Sequence, residues 1–395
     1  MAIALATLPS AFLARTVDNI SKFASWVIHY VVAIPAIIVP LLQQFEGLTQ
    51  AMMLSAAIAA CACVFNFANG IAVGTAPRIA LLRLRRRTII GGCIAVAVVS
   101  ASYIITTHGS ALQLTGFIDV YEQRFQFSER STSVEAYLIP FLGNVVLPFL
   151  LVTGVLRKNW IAVFLSLFGT VLLYTTFAAK SQLLGPIFVL GVLALFDRAD
   201  TIRVALIPII LVSLMTLGIA VAPSIDGSDT ALNLIASLIY VRTLLLPGVI
   251  VGEFSAYFSQ FATTYYSHSL IGRPFVPYPY GDLSVGQVVG LYMFPNQGSA
   301  VFELNGSFIA TDGLAALYMI GIPIAYTITA IALRFLTFAS TLVDARTAFA
   351  VTVPFLVTLA NTSIFSSMVT GGGLALAVLL YLWGNSVTDA DPSNR

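Results

Sequence analysis

The sequence has little charge: only 9% of its 395 residues are Asp, Glu, Lys or Arg, whereas 58% are hydrophobic. The apolar residues fall in runs of about 20, long enough as helices to cross roughly 30 Å of hydrocarbon. The composition therefore predicts an all-α polytopic membrane protein. Its net charge of +2 reports membrane topology rather than a nucleic-acid surface, so no nucleic acid is expected as a partner.

Motifs of the common enzyme classes are absent as well. There is no Gly-rich phosphate loop with Lys, no HExxH and no nucleophile elbow, which argues against NTP hydrolysis, zinc proteolysis and serine hydrolysis. The three cysteines, Cys61, Cys63 and Cys93, lie in predicted spans without His or carboxylates at ligand spacing, and we interpret them as small core residues. The sequence thus predicts no metal site and no cofactor.

What the sequence does contain is a series of ten candidate spans in a single membrane domain, 1–395. An apolar segment at 3–14 precedes them and is too short to span, so it is either an interfacial helix or the remnant of a further span. A signal peptide fits poorly, because no charged region precedes the segment. The ten spans are 24–43, 51–75, 88–106, 137–156, 159–178, 183–196, 204–222, 309–332, 347–365 and 367–385.

Basic residues set the orientation. Every second loop is basic, and with the termini this places 14 of the 19 Lys and Arg residues on one face, which the positive-inside rule makes cytoplasmic. Both termini are then cytoplasmic. The outer face holds a first loop at 107–136, a short turn at 179–182 and a long insertion at 223–308.

The long insertion contains charged and polar residues, but it is apolar overall. Its pattern predicts an amphipathic helix at 232–246 that is stopped by Pro247-Gly248, a second helical stretch at 249–266, and a Gly- and Pro-rich loop at 270–300. A segment this apolar outside the membrane lies on the bilayer surface or re-enters it, which suits a substrate held by a lipid tail.

Five cations break the charge bias of the outer face, and a cation there, close to hydrocarbon, indicates an anionic ligand such as a diphosphate. Arg124 and Arg130 could instead pair with acids of their own loop, Glu122, Glu129 or Glu135. No acid lies at helical spacing from Lys180 or Arg242, which favours a binding role for these two. The five are Arg124, Arg130, Lys180, Arg242 and Arg273.

Several other polar residues of the outer face could carry protons. Histidine is the side chain suited to proton transfer at physiological pH, so His268 could carry a proton or donate a hydrogen bond to a diphosphate, or it could be an ordinary hydrogen-bonded loop residue. Glu253, Asp119 and Glu122 are candidate bases for activating a hydroxyl, and each could equally be a salt-bridge partner.

Two tyrosines, and a carboxylate within a predicted span, are the last candidate site residues. Tyr265 and Tyr266 are either interfacial anchors or rings that stack on a sugar. Asp312, just inside the eighth span, needs a partner at that depth unless it only caps the helix, and Asn305 could belong to the same turn.

The order of several stretches resembles the Wzy-type O-antigen polymerases, integral membrane glycosyltransferases that join lipid-linked oligosaccharide units. The resemblance covers about 117–322 and rests on order and loop placement. The stretches are Phe-Ile-Asp-Val-Tyr-Glu-Gln-Arg at 117–124, Phe-Ala-Ala-Lys at 177–180, Tyr-Val-Arg-Thr-Leu-Leu-Leu-Pro at 240–247, Phe-Ser-Gln-Phe at 258–261 before Tyr265-Tyr266, and 305–313.

The resemblance implies a GT-C-like fold in the bacterial inner membrane and an active face in the periplasm. It implies undecaprenyl-diphosphate-linked oligosaccharide as substrate, together with membrane lipid and a chain-length regulator protein as partners. Arg124 and Arg242 would be the essential arginines and Lys180 a third cation. The family pattern of Arg, ten residues, then Gly is not kept: Gly252 follows Arg242 after nine residues, and Glu135 takes the glycine position after Arg124.

A metal-independent transfer is chemically coherent with these residues, since fixed cations would stabilise the negative charge that develops on the leaving diphosphate. Two alternatives remain. An O-antigen ligase-like transferase would use similar arginines with another acceptor. A flippase or transporter should carry charge within several spans and show related halves, whereas these spans are nearly uncharged.

Overall fold

A computed structural model describes most of the chain as helix. The described residues are 1–44, 46–79, 83–109, 112, 132–177, 180–196, 241, 245–269, 271–295, 304 and 309–387. No β-strand occurs among them; a single isolated bridge joins Arg85 and Val387. By contact density the chain divides into two units, the first formed by Met1–Ala72, Asp200–Leu333 and Leu359–Ser366, the second by Val73–Ala199, Arg334–Thr358 and Ser367–Arg395.

The described helices confirm a membrane-embedded, multi-pass protein. Seven of the described segments are long and apolar enough to cross a membrane. The predicted spans 183–196 and 347–365 correspond to the shorter helices Lys180–Phe196 and Ala345–Asn361, and the predicted span 204–222 lies outside the described residues. The seven are Ile20–Gln43, Leu48–Gly70, Arg86–His108, Val134–Arg157, Trp160–Phe177, Ala310–Ser340 and Ile364–Gly384.

The first unit begins with the short helix α1 (Ala2–Thr7) and then a helical hairpin. Its first arm is α2 (Ile20–Ile28), a π-helical turn at His29–Ala33 and α3 (Ile34–Gln43), and its second arm is α4 (Leu48–Gly70). The chain reverses between the arms at Gln44 and Gly47, both with positive φ. Such a conformation strains most residues and suits glycine, which explains the position of Gly47.

Among the described residues, the second unit contains five helices before residue 200 and two after residue 344. Its core places Phe149 edge-on against Trp383 at 5.2 Å between ring centroids, and the Asn144 side chain donates to the Gly371 carbonyl at 2.9 Å. The helices are α5 (Arg86–His108), α6 (Ser133–Phe141), α7 (Leu147–Arg157), α8 (Trp160–Phe177), α9 (Lys180–Phe196), α13 (Ala345–Asn361) and, after α14 (Ile364–Val369), α15 (Gly373–Gly384).

Two predictions within the insertion are wrong. Pro247 does not stop a helix but lies in the first turn of α10 (Leu246–Phe258), where its missing N–H leaves no hydrogen bond unmade. The stretch 270–300 is not all loop, because α11 (Val285–Met293) begins there with a capping box formed by Ser284 and Gln287. The predicted helix 232–246 lies almost entirely outside the described residues.

Close packing fixes α10 against the first hairpin. A Cβ on Gly248 would overlap the Pro35 carbonyl and the Val39 side chain, so the two backbones approach closely at this point. Further along, the Ser255 hydroxyl donates to Glu46 at 3.0 Å, and the Ser259 hydroxyl also bonds to Glu46. Helix α10 therefore runs beside α3 and ends next to the hairpin turn.

The long helix α12 (Ala310–Ser340) is broken near its start. Leu317 and Tyr318 have non-helical backbone angles, with φ of 52° at Tyr318, and the helix re-forms after them. A Cβ on Gly321 would overlap the Gly313 carbonyl, so the residues on either side of the break pack backbone to backbone. The break leaves the carbonyls of Ala315 and Ala316 without helical partners further along the chain.

Candidate functional site

Four side chains of the first unit form a hydrogen-bonded cluster, which we call the His268 cluster. The Nε2 atom of His268 lies 2.9 Å from Oδ1 of Asp312, and its Nδ1 atom lies 2.6 Å from the hydroxyl of Thr264. The Ser363 hydroxyl donates to the other carboxylate oxygen of Asp312 at 3.0 Å. Two residues singled out in the sequence, His268 and Asp312, are thus direct partners although 44 residues separate them.

The break in α12 positions the cluster. The backbone N–H groups of Thr264 and Tyr265 donate to the carbonyls of Ala315 and Ala316 at 2.8 and 2.9 Å. The chain then turns tightly through Tyr265 and Tyr266, which both have positive φ. This turn brings His268 back over the first residues of α12, where Asp312 lies, so the strained backbone is what joins the two residues.

The hydrogen-bond partners restrict which nitrogen atoms of His268 can carry a proton. Asp312 as a carboxylate only accepts, so Nε2 of a neutral His268 carries the proton and Nδ1 accepts from the Thr264 hydroxyl. Alternatively, His268 is an imidazolium that donates to both neighbours, and the Thr264 hydroxyl donates to the Ala315 carbonyl at 3.0 Å. The arrangement accommodates either charge state of His268, as an acid–base residue requires.

Burial decides which of these groups a substrate could reach. The side chains of Asp312 and His268 are 3% and 10% exposed, and Thr264 is fully buried. The order Thr264, His268, Asp312 has the geometry of a nucleophile, a base and an orienting acid. A fully buried hydroxyl cannot attack an external substrate, however, so His268 is the group that could exchange a proton.

Tyr266 lies against the same cluster. Its ring is 5.9 Å from that of His268 and stands edge-on to Phe365 at 5.6 Å. Its hydroxyl is buried and has no hydrogen-bond partner among the described residues. Burial, and secondly the charge of Asp312, raise the pKa of Tyr266, so the phenol stays protonated and is available as a donor. Tyr265 points the other way and is 58% exposed.

Other predicted site residues are described but stand apart from this cluster. Arg273 is exposed on the turn that follows, and its backbone N–H donates to the Ser269 carbonyl at 3.0 Å. Glu253 is half-buried on α10, and burial raises the pKa of its carboxyl. Within the described part of the chain, no hydrogen bond or ion pair links either residue to His268.

The remaining predicted residues lie outside the described residues. For Lys180 the structure gives only the backbone, as the first residue of α9. The others are Arg124, Arg130, Arg242, Asn305 and Asp119, together with their possible partners Glu122 and Glu129.

Two members of the cluster were not predicted from the sequence. Thr264 precedes His268 by four residues, a spacing that brings side chains together in a single turn and could have indicated the contact. Ser363 follows α13 and is 51 residues from Asp312. No local pattern marks it, because only the fold brings it there.

A second histidine–carboxylate pair, in the second unit, joins residues near the two ends of the segment predicted as the first outer loop. Nε2 of His108 lies 2.6 Å from Glu135, whose other oxygen accepts the Thr132 N–H at 2.7 Å. The Tyr103 hydroxyl donates to the same carboxylate at 3.3 Å, and Glu135 is fully buried. These three are the described partners of Glu135; Arg124 and Arg130, with which the sequence could also pair it, lie outside the described residues.

Aromatic rings cluster where α10 ends. Tyr257 stacks on Phe261 at 4.5 Å, and Tyr292 stands edge-on to both, at 5.4 and 6.0 Å. Gln260 donates to the Tyr292 hydroxyl at 3.4 Å. Phe261 and Tyr292 are 46% and 41% exposed, so the cluster offers ring faces with polar edges to solvent.

The described residues contain no group of three or more His, Cys, Asp or Glu side chains that could hold a metal ion. Comparison of the chain with models of protein families, with curated proteins and with solved structures found no match.

Proposed function

We propose that the chain is a membrane glycosyltransferase that polymerises undecaprenyl-diphosphate-linked oligosaccharide repeat units at the periplasmic face. The observation that carries the proposal is the His268–Asp312 pair, with a separation of 2.9 Å, in the segment predicted to face outward. A histidine oriented by a buried carboxylate is suited to take the proton of a sugar hydroxyl. No other described group of the first unit has this arrangement and lies beside an exposed loop.

The proposed reaction moves one glycosyl group. The bond between the sugar C1 and the diphosphate oxygen breaks, and its electron pair leaves with the diphosphate. A new bond forms between C1 and an acceptor hydroxyl oxygen, whose proton passes to Nδ1 of His268. The acceptor hydroxyl takes the place of Thr264 at Nδ1, and the Thr264 hydroxyl turns to the Ala315 carbonyl that it already reaches. Nε2 of His268 keeps its proton and donates it in a hydrogen bond to Asp312, whose negative charge stabilises the imidazolium.

Cations of the outer loops stabilise the leaving diphosphate in this proposal. Arg273, exposed five residues after His268, is the described candidate. Arg124, Arg242 and Lys180 provide the others by their resemblance to the polymerases. Guanidinium groups fixed before the reaction stabilise the negative charge as it develops, which lowers the barrier more than it tightens ground-state binding.

Helix α10 supports a substrate carried by lipid. Its start packs on Pro35 and Val39, inside a candidate span, and its end reaches the hairpin turn at Glu46. A re-entrant helix of this kind brings loop residues to the level of the hydrocarbon boundary, where the diphosphate of an undecaprenyl carrier lies. The aromatic cluster of Tyr257, Phe261 and Tyr292 then provides ring faces on which the growing glycan stacks.

A carboxylate-to-amide exchange tests the proposed base. In cells lacking the gene, Asp312→Asn is expected to restore no polymer, because an amide keeps the size of the side chain but cannot stabilise the imidazolium. Asp344→Asn is the matched control: Asp344 accepts the Thr347 N–H at 2.8 Å as a helix cap, and Asn caps equally well. The measurement is the ladder of surface polysaccharide on a gel, with the membrane level of each variant determined by immunoblot. Full-length polymer from Asp312→Asn would overturn the role of the pair.

The arginines call for a separate experiment. Arg242→Ala is expected to abolish polymerisation while expression and membrane insertion persist, because the leaving diphosphate loses its counter-charge. Arg124→Ala should act likewise. Normal chain length with Arg124→Ala would remove the first outer loop from the site, and normal polymer with Arg242→Ala would contradict the proposed leaving-group role.

A transporter of lipid-linked oligosaccharide is the second candidate, and the break in α12 favours it. Transporters form substrate sites from discontinuous helices whose unwound backbone lines a cavity, and α12 is interrupted at Leu317 and Tyr318. Deletion of the gene separates the candidates. Single repeat units still attached to their acceptor indicate a polymerase, whereas their complete loss indicates a flippase or a ligase.

A further inference from the structure

Within the aromatic cluster at the end of α10, one face of the Phe261 ring is supported and the other is open. Tyr257 stacks on Phe261 at 4.5 Å between ring centroids, with the planes inclined by 20°. Tyr292 stands edge-on to both rings and lies nearer to Tyr257, at 5.4 Å, than to Phe261, at 6.0 Å. Both neighbours are therefore on the same side of Phe261. Since Phe261 is 46% exposed, its exposed area lies on the opposite face and on the ring edges.

The ring is held in place from behind. Tyr257 is buried, and it also contacts Phe258 edge-on at 5.0 Å and Tyr280 at 5.9 Å. The Tyr280 hydroxyl in turn donates to the carbonyl of Ala262, the residue after Phe261. A ring fixed in this way loses little conformational entropy when a ligand settles on its open face.

Hydrogen-bonding groups lie beside the ring. The Gln260 amide donates to the Ala256 carbonyl at 3.2 Å and to the Tyr292 hydroxyl at 3.4 Å, and its amide oxygen is an acceptor. Tyr292 accepts in that contact, so its own O–H is a donor. The chain is exposed on both sides of Phe261, from 259 to 262.

An open aromatic face with a donor and an acceptor beside it fits a pyranose sugar. The face of an aromatic ring carries partial negative charge and attracts the C–H groups on one face of a pyranose. The hydroxyls around the sugar edge then bond to the neighbouring polar groups. A hydrocarbon chain would gain from the ring as well, but it would take water from the polar groups without replacing the hydrogen bonds.

We propose that Phe261 binds one pyranose ring of the glycan by its C–H face, while Gln260 and Tyr292 bond to its hydroxyls. The expected ligand is a hexopyranose of the glucose or galactose type, because such a sugar has one face with axial C–H bonds and no axial hydroxyl. That the sugar belongs to a lipid-linked glycan rests on the proposed function. That a sugar binds at this position does not.

The first test measures binding to the purified full chain, in a detergent without a sugar headgroup, by saturation-transfer NMR. The ligands are methyl β-D-glucopyranoside and methyl β-D-galactopyranoside, and glycerol is the control because it has hydroxyls but no ring face. We expect transfer to the C–H protons on one face of the pyranosides and little transfer to glycerol. Equal transfer to glycerol, or no binding of either pyranoside, would overturn the proposal.

The second test assigns the binding to the ring of Phe261. Phe261→Leu keeps an apolar side chain without the ring and is expected to weaken binding about fivefold, within the range of aromatic pair energies. Phe261→Tyr keeps the ring and should stay within about twofold of the wild type. Phe275→Leu, which removes a ring that is 83% exposed in the same unit, should do the same. Equal losses at Phe261 and Phe275 would show non-specific contact with exposed rings and overturn the site.

The polar edge has its own variant, which also serves if Phe261→Leu fails to fold. Tyr292→Phe keeps the ring and removes only the hydroxyl, so it is expected to weaken pyranoside binding about threefold, as the loss of one hydrogen bond does. Unchanged affinity would contradict the proposed contact with the sugar hydroxyls.

A ring that anchors the protein in the bilayer is the competing explanation. In nanodiscs, Phe261→Trp is expected to add fluorescence that lipid brominated on its acyl chains does not quench and that methyl β-D-galactopyranoside changes. The wild-type protein, whose three tryptophans lie in candidate spans, gives the background. Quenching of the added fluorescence would place the ring in hydrocarbon and overturn the sugar site.

Failure of this site and failure of the proposed function give different results. Weaker pyranoside binding by Phe261→Leu, together with full-length polymer from Asp312→Asn, would support the sugar site and reject the proposed base. Absence of pyranoside binding by the wild type, together with loss of polymer in Asp312→Asn, would reject the sugar site and leave the proposed reaction in place.

Discussion

At the scale of single residues, the His268 cluster depends on one hydroxyl with two acceptors. Thr264 contacts Nδ1 of His268 at 2.6 Å and the Ala315 carbonyl at 3.0 Å, while its own N–H holds the Ala315 carbonyl at 2.8 Å. The hydroxyl can therefore release His268 without becoming an unpaired buried group, which would otherwise be unfavourable. An acceptor hydroxyl could then replace it at Nδ1 of His268, whose side chain is 10% exposed.

Replacement of that hydroxyl gives a prediction. Thr264→Val keeps the shape of the side chain but leaves Nδ1 of His268 without its partner, so we expect a loss of roughly 1–2 kcal/mol in the free energy of unfolding. Thr264→Ser, which retains the hydroxyl, should lie close to the wild type. Thermal unfolding of the purified protein measures both. Equal midpoints for Thr264→Val and the wild type would show that the contact contributes nothing.

At the scale of elements, the break in α12 is the feature that assembles the site. Gly321 packs so closely on the Gly313 carbonyl that any side chain there overlaps backbone. Gly321→Ala is therefore expected to lower the free energy of unfolding by about 1–3 kcal/mol, as overpacking of a close contact does, and to reduce polymer formation by separating Asp312 from His268. Thermal unfolding and the polysaccharide ladder measure the two effects.

Helix α9 offers the matched control for this exchange. Gly185 lies in α9, and a Cβ there would meet no atom within 4 Å. Gly185→Ala should consequently be neutral, because alanine fits the open position and favours helix. A similar loss in both variants would mean that Gly321 is not special and that the backbone contact across the break is unimportant.

The elements also show where prediction from the sequence ends. Long apolar runs predicted the spans, since length and hydropathy alone decide whether a helix can cross a membrane. The sequence signals for helix ends were less reliable. Pro247 can mark the start of a helix as readily as its end, and the capping box at Ser284 lies in a stretch rich in glycine and proline, which favoured a loop. The break at Leu317 and Tyr318 has no signal in these two residues, because both are common in helices. The hydrogen bonds beside it come from Thr264 and Tyr265, about 50 residues earlier in the chain.

At the scale of the whole molecule, the orientation of the first unit decides whether the site faces the periplasm. Helix α4 runs 23 residues from the Glu46 turn to Gly70, or about 34 Å at the usual helical rise. Ser255 and Ser259 bind Glu46 at the first end of α4, so the loop after α10, which holds His268, belongs to that end. Ile71 follows the opposite end. From the positive-inside rule we expect Glu46 outside and Ile71 inside.

Cysteine labelling tests this orientation with two exposed positions of the same unit. Phe275→Cys, at a side chain that is 83% exposed in the loop after His268, should react with a membrane-impermeant maleimide in spheroplasts. Ile71→Cys, at a side chain that is 48% exposed, should react only after lysis. Cys61, Cys63 and Cys93 lie inside candidate spans and provide the background of the parent protein. The reverse labelling would place His268 and Asp312 in the cytoplasm, where a lipid-linked unit awaiting periplasmic polymerisation is not present, and the glycosyltransferase proposal would fail with it.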